Sequence, residues 1–189
     1  MTMTKHQLSQ FKFYFTGLIT LTIGSLLIWQ HLTEGVPSHY LLHRADLPAI
    51  SNWWGALLLP VLSWLSLDRI HKRILTQSHV DTANYPANII LGFVCSLVYG
   101  AIVSASFAMG FPDVAGVMFF GILFFSLFFK VYREQYLLGF IIGMAYVFGA
   151  VLPTIFAVVI ACASALIYHF CRFVGSKFNE WFMQTKTAK

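Results

Sequence analysis

Two histidines and one aspartate, His39, His43 and Asp46, follow each other at i, i+4 and i+7 in a polar stretch between two apolar runs. Proline suits the first turn of a helix, and a short helix from Pro37 to Leu47 would carry all three side chains on one face. Two imidazoles one turn apart can hold a divalent metal ion, and a nearby carboxylate can ligate the metal or orient an imidazole. The spacing therefore predicts a metal site at His39, His43 and Asp46.

Neighbouring residues would complete this site, because three ligands from one short helix give a stretched coordination geometry. His31 and Glu34 stand at the end of the preceding apolar run, and Trp53 and Trp54 stand at the start of the next one. We predict these four residues as contacts for a small ligand. A bound metal ion would lower the pKa of a water molecule, and Glu34 is then the candidate general base for hydrolysis.

A simpler interpretation of the same stretch is a solvated loop. Polar residues are expected outside a membrane, and Asp46 is well placed to cap the helix that follows it. The sequence contains no HExxH motif, Gly-rich phosphate loop or nucleophile elbow. The metal site and the solvated loop both stay open, and the sequence leaves open whether the chain is an enzyme.

Most of the chain is suited to lipid rather than to water. Apolar residues make up 58% of the 189 residues and charged residues 10%, against roughly 25% charged in soluble domains. A helix needs about 20 apolar residues to cross the hydrocarbon core of a bilayer. We therefore predict an all-α, polytopic membrane helical bundle forming one transmembrane domain, with spans at 11–32, 50–67, 87–110, 114–131, 135–152 and 154–172. An outer loop (33–49), an inner loop (68–86) and an amphipathic tail (173–189) complete it.

The last two spans come from one nearly uncharged stretch that is too long for a single crossing. Pro153 lies near its middle, and proline disrupts a helix interior, so the chain is expected to turn at 151–154. The charges support the same division. With six spans, the Lys and Arg residues gather on one face and only Arg44 lies on the other. Because positive residues are retained on the cytoplasmic side, both termini are predicted in the cytoplasm, with the chain in a bacterial inner membrane.

Small residues recur four positions apart in three of the predicted spans. They are Ser96, Gly100, Ser104 and Ala108 in the third span, Gly139 and Gly143 in the fifth, and Ala157, Ala161 and Ala165 in the sixth. Such stripes let helices approach closely in lipid. The three spans are predicted to form a tight core, and the same stripes would also suit docking of a partner chain in a homo- or hetero-oligomer. The Phe-rich stretch Phe119–Phe129 is predicted to face lipid.

The ionisable residues near the spans, such as Asp68, Lys130 and His169, lie at inner ends rather than at mid-depth, which disfavours a proton-driven carrier. The formal charge of +5 comes from small groups of Lys and Arg without a continuous basic face, so nucleic acid is not an expected partner. The expected partner is the lipid bilayer.

Three functional hypotheses follow. The first is an outward-facing component that binds or transports a small ligand or metal, with the outer loop covering a shallow cavity. The second is a hydrolase-like membrane metalloenzyme that uses the outer loop, and the third is a structural or assembly subunit of a membrane complex. The first is favoured, because only the outer loop departs from what a plain bundle requires. In size and number of spans the chain looks like the membrane-embedded substrate-binding subunits of energy-coupling vitamin transporters, but it shares no motif with them and no family is assigned.

Overall fold

The computed structural model describes residues 5–33, 35–36, 38–40, 49–76, 85–125 and 128–187. Within these ranges the architecture is helical, with one short antiparallel strand pair. The helices are α1 (Lys5–Thr33), α2 (Trp54–Thr76), α3 (Tyr85–Ala108), α4 (Pro112–Phe125), α5 (Glu134–Phe148) and α6 (Val151–Thr187), and the strands are β1 (Ser38–Tyr40) and β2 (Ala49–Ser51). The predicted all-helical class is thus confirmed.

Three helices are long and apolar enough to cross a membrane: His6–Thr33, Ala87–Ala108 and Val151–Lys177, with 28, 22 and 27 residues. At 1.5 Å per residue the shortest of them extends about 33 Å, against a hydrocarbon core of about 30 Å. Helices α4 and α5 are also apolar but have 14 and 15 residues, about 21 and 22 Å. The three long apolar helices indicate that the chain associates with a membrane.

The direction of each helix follows from which ends touch. Lys12 near the start of α1 contacts Asp68 late in α2, so these two helices are antiparallel. Arg73 at the end of α2 contacts Glu134 at the start of α5, which is antiparallel again. Helix α4 returns along α3 after a short turn, and α6 returns along α5 in the same way.

Helices α3 and α5 run parallel to each other. Gly92 early in α3 lies against Tyr136 early in α5, and Phe107 late in α3 lies against Phe148 late in α5, with ring centroids 4.8 Å apart. All the described helices therefore alternate in direction. We call the end with the first residues of α1, α3 and α5 the basal end, and the end with β1 and β2 the hairpin end.

Helix α5 occupies the centre of the bundle, where α3, α2 and α6 pack around it. Its core-facing residues Leu138, Phe140, Ile141 and Met144 are buried.

The turn between α5 and α6 lies at Gly149 and Ala150, two residues before the segment that Pro153 predicted. Gly149 has φ +70°, a conformation that glycine adopts at little cost. Pro153 then falls in the first turn of α6, where its missing N–H leaves no intrahelical bond unmade. Helix α6 continues without a break through the predicted amphipathic tail to Thr187.

The hairpin end differs from the short helix predicted over Pro37–Leu47. Residues 38–40 form strand β1, which pairs antiparallel with β2 in the register Ser38 to Ser51, His39 to Ile50 and Tyr40 to Ala49. The helical prediction is wrong at these positions. Pairing with a distant segment supplies backbone hydrogen bonds to both strands, and this outweighs the local spacing on which the helix was predicted.

Candidate functional site: an apolar cavity between α3, α4, α5 and α6

The site predicted from the outer loop is only partly within the described residues. His31 lies exposed at the end of α1, and its ring contacts that of Trp53 edge-on at 6.1 Å. Trp54 begins α2 and is exposed. His39 lies in β1, but its side chain is outside the described part of the chain, as are Glu34, His43 and Asp46. The metal site and the role of Glu34 as a general base therefore stay predictions.

Among the side chains that the structure describes, no three His, Cys, Asp or Glu residues lie close enough together to hold a metal ion. A small pocket at the hairpin end has Asn52, Phe148 and Leu152 in its walls. Its volume is about 10 Å³, the space of roughly one water molecule. This pocket is too small for a ligand of the kind predicted there.

A much larger cavity lies in the basal half of the bundle, with a volume of about 550 Å³. Ligand sites in proteins typically enclose about 300–1,000 Å³. Its walls are formed by Asn88, Leu91, Gly92, Cys95, Ser96, Tyr99, Ile122, Phe125, Phe129, Val131, Tyr136, Leu137, Phe140, Ala157 and Ile160. Four helices and the segment between α4 and α5 thus contribute to one site.

Small residues on α3 open the floor of this cavity. Gly92, Cys95 and Ser96 occupy successive positions on the face of α3 that lines it. The ring of Tyr136 lies over Gly92, where an added Cβ would be 2.9 Å from a ring carbon. The small side chains at these three positions let the cavity extend to the surface of α3, between the ring of Tyr136 and that of Tyr99.

Aromatic contacts form the boundary of the cavity toward the hairpin end. The Tyr99 hydroxyl donates a hydrogen bond of 2.5 Å to the Met118 carbonyl, which joins α3 to α4. The ring of Phe119 lies 5.0 Å from that of Phe156 and 6.4 Å from that of Phe140, which joins α4 to α6 and α5. These contacts separate the cavity from the hairpin end of the bundle.

None of the residues that line the cavity is charged. Its polar groups are few, and two of them already have partners within the chain: the Ser96 hydroxyl donates to the Phe93 carbonyl at 2.9 Å, and Tyr99 donates to Met118. A surface of this kind favours an apolar ligand.

Two ion-pair clusters tie the helices together at the basal end. The Arg73 guanidinium contacts the Glu134 carboxylate at 3.1 Å and donates to the Gln135 side-chain oxygen at 2.7 Å. On the other side of α2, Asp68 contacts Lys72 at 2.9 Å and Lys12 at 3.1 Å. Asp68 lies beyond the apolar part of α2, and its hydrogen bonds with Lys72 and then Lys12 lower the pKa of its carboxyl below the ordinary value.

No pattern in the sequence indicates the cavity directly. Of its small residues on α3, only Ser96 belongs to the stripe that predicts close packing, and the Phe-rich stretch Phe119–Phe129 predicts a face toward lipid. In the structure Phe125 and Phe129 line the cavity but are also 47% and 56% exposed, and Phe120 and Phe124 are strongly exposed. No spacing within one helix indicates it, since the cavity depends on how the four helices are rotated relative to one another.

No protein-family model, curated protein sequence or solved structure matches this chain.

Proposed function

We propose that this chain is a multi-pass protein of a bacterial inner membrane that binds an apolar ligand in the cavity between α3, α4, α5 and α6. The observation that carries this proposal is an uncharged cavity of about 550 Å³ in the basal half of the bundle, partly open to the surface beside Leu91, Phe125 and Phe129. The proposal keeps the ligand-binding function favoured by the sequence and moves the ligand from the outer loop to the opposite half of the bundle.

The alternation of the helices supports six spans with both termini in the cytoplasm. Every described Lys and Arg side chain lies toward the basal end: Lys12, Arg69, Lys72, Arg73, Lys130, Arg133, Arg172 and Lys177. The positive-inside rule then assigns the basal end to the cytoplasmic side. Reporter tags in the loop around Arg44 and after Lys189 test this arrangement. We expect signals from opposite compartments, and signals from the same compartment would contradict six spans.

The ligand-binding proposal is tested with two cysteines on different surfaces. Both cysteines are exposed, but Cys95 lines the cavity, whereas Cys162 on α6 does not. Replacing Cys95 by Trp fills volume that the ligand would occupy, and Cys162→Trp adds the same bulk on a surface facing lipid. The measurement is native mass spectrometry of the protein extracted in detergent, which counts the lipids and small apolar molecules that it retains.

We expect the wild type and Cys162→Trp to retain a bound apolar molecule and Cys95→Trp to lose it. Both variants are checked for an unchanged unfolding temperature, so that loss of ligand is not loss of fold. Equal retention by all three proteins, or no bound molecule in the wild type, would contradict the proposal.

The metal site of the outer loop is an independent prediction with an independent test. Elemental analysis of the purified protein would show stoichiometric zinc, copper, manganese or iron if His39, His43 and Asp46 hold a metal, and His43→Ala would remove it. Absence of such a metal from the wild type would end that prediction without affecting the cavity.

Oligomerisation through small-residue faces also stays a prediction. The glycine faces of α3 and α5 contact each other within the chain, and Ala157 of the α6 stripe is buried, so a partner helix would have to use another surface.

A further inference from the structure

The segment between α4 and α5 joins the cavity to a group of cations at the basal end. Phe129 and Val131 line the cavity, and Lys130 stands between them. The Lys130 ammonium lies 5.4 Å from the ring centroid of Tyr168 on α6, and Arg172 donates a hydrogen bond of 3.2 Å to the hydroxyl of the same tyrosine. Two cations from different elements therefore converge on one aromatic side chain beside the cavity.

Further rings complete this cluster. Tyr132 lies 6.0 Å from both Tyr168 and His169, measured between ring centroids. Tyrosine rings favour the boundary between hydrocarbon and water, where one edge is apolar and the hydroxyl is wet. The cluster is thus placed where the polar head of a membrane lipid would lie.

The cations of this cluster have no carboxylate partner among the described residues. The two carboxylates described at the basal end are already engaged, Asp68 by Lys12 and Lys72 and Glu134 by Arg73. Lys130 and Arg172 contact Tyr168, whose side chain is a phenol and not a carboxylate. Within the described part of the chain, their positive charge is therefore available to an anionic group from outside.

The length of the cavity matches one leaflet of a bilayer. Along α3 its lining runs from Asn88 to Tyr99, which is about 17 Å at 1.5 Å per residue. One leaflet contributes about half of the roughly 30 Å hydrocarbon core. A chain that enters from the basal end would thus fill the cavity within the leaflet on that side.

We infer that the ligand is an anionic lipid of the basal leaflet, with an acyl chain in the cavity and its phosphate bound by Lys130 and Arg172. This inference rests on the proposed function, because it requires the cavity to hold an apolar ligand. Arg and Lys are the side chains that proteins use to bind phosphate, and Arg172 can offer two parallel N–H donors to it.

The test compares lipids that share acyl chains and differ in charge. The protein is reconstituted in nanodiscs containing equal amounts of phosphatidylglycerol and phosphatidylcholine, and native mass spectrometry measures which lipid it retains. The variant K130Q/R172Q removes two charges from the cluster. The matched control R69Q/K72Q removes two charges from the same end of the bundle, on α2, while Lys12 remains on Asp68.

We expect the wild type and R69Q/K72Q to retain phosphatidylglycerol over phosphatidylcholine. A cation near a membrane surface typically changes binding of anionic lipid about fivefold, so K130Q/R172Q should lower the preference about 25-fold. The charge-preserving variant K130R/R172K should keep it, which separates loss of charge from loss of fold.

The outcomes separate this inference from the proposed function. If both lipids are retained equally, K130Q/R172Q has no effect and Cys95→Trp lowers both, the inference is wrong and the cavity still binds an apolar chain. If Cys95→Trp leaves retention of both lipids unchanged, both proposals are wrong.

If inorganic phosphate alone displaces no lipid, the lipid assignment is supported. If phosphate binds through Lys130 and Arg172 while Cys95→Trp does not affect phosphatidylglycerol, the ligand is a soluble phosphate and the inference is overturned.

Discussion

Two parts of α3 use small residues for opposite purposes. Toward the middle of the helix, Gly100 lies directly against the backbone of Phe140 on α5, and an added Cβ would be 2.6 Å from the Phe140 carbonyl oxygen. Two turns earlier, Gly92 faces the ring of Tyr136 and the cavity. Gly100 allows the backbones of α3 and α5 to touch, whereas Gly92 lies in the wall of the cavity.

The opposite helix decides which of these outcomes occurs. Gly139 and Gly143 of α5 likewise lie against backbone atoms of α3. We call this contact of α3 with α5, formed by Gly100 and the two α5 glycines, the seam, and here neither helix carries a large side chain that keeps the other at a distance. Near Gly92 the residue on α5 is a tyrosine, and rings from α4 complete the wall. Small residues on both helices let the backbones approach closely at the seam. Beside Gly92, the large rings of Tyr136 and Phe125 surround the space of the cavity instead.

The largest expected effect is at the seam. Gly100→Ala places a methyl group against the backbone of Phe140, which no side-chain rotation can relieve, so α3 and α5 must separate. We expect the variant to lose about 3 kcal/mol of the free energy of unfolding, measured by thermal or denaturant unfolding in detergent. Gly24→Ala on α1 is the control, because nothing lies within 4 Å of its added Cβ. Equal stability of the two variants would mean that the seam is not closely packed.

The next largest effect concerns the contacts of Arg73 with the first residues of α5, Glu134 and Gln135. Arg73→Ala removes both contacts of α2 with Glu134 and Gln135 and leaves a half-buried carboxylate and a buried amide without this partner. We expect a loss of about 2 kcal/mol of stability. Arg69→Ala serves as the control, since Arg69 is exposed on the same helix. If both variants unfold at the same temperature, the packing of α3 against α5 is sufficient without the ion pair.

A smaller effect is expected on the cavity side of α3. Gly92→Ala brings a methyl group to 2.9 Å from the ring of Tyr136, but that ring is a side chain beside an open space and can move. The gain in helix propensity of up to about 1 kcal/mol offsets the displacement, so stability should change by less than about 1 kcal/mol. Ligand retention should change instead, because Tyr136 lines the cavity. Destabilisation as large as that of Gly100→Ala would remove the distinction between the two parts of α3.

The sequence is sufficient to predict the close contact of α3 with α5 but not the cavity beside it. The α3 stripe and the pair Gly139 and Gly143 are local patterns. The stripe meets α5 at Ser96, Gly100 and Ser104, whereas Ala108 is exposed. The cavity depends on how α4 and α6 are rotated relative to α3 and α5, and no periodicity within one helix contains that information. Hydropathy likewise marks the apolar runs, but it does not show that α4 ends at Phe125 rather than near Val131.

The outer loop shows a similar limit. The spacing of His39, His43 and Asp46 predicts a helix only if no other strand pairs with this segment. The backbone of Ser38–Tyr40 instead pairs with Ala49–Ser51, nine to thirteen residues along the chain. Strand pairing of this kind depends on contacts that the spacing of residues within one segment does not report.

The smallest effect, and the one most independent of α3, concerns the pair α1 and α2. Because Lys72 and Lys12 lower the pKa of Asp68, its ionised form stabilises the folded state at pH values above its ordinary pKa of 3.8. This contribution is lost as the pH falls through the lowered pKa. Asp68→Asn should therefore unfold at a lower temperature than the wild type at pH 7, and the difference should shrink as the pH is lowered below about 4. A difference that stays constant from pH 7 to pH 3 would contradict the role of the carboxylate.

Lipid retention should not change in Asp68→Asn, since Asp68 does not line the cavity. A change in retention would mean that the contact between α1 and α2 also shapes the ligand site.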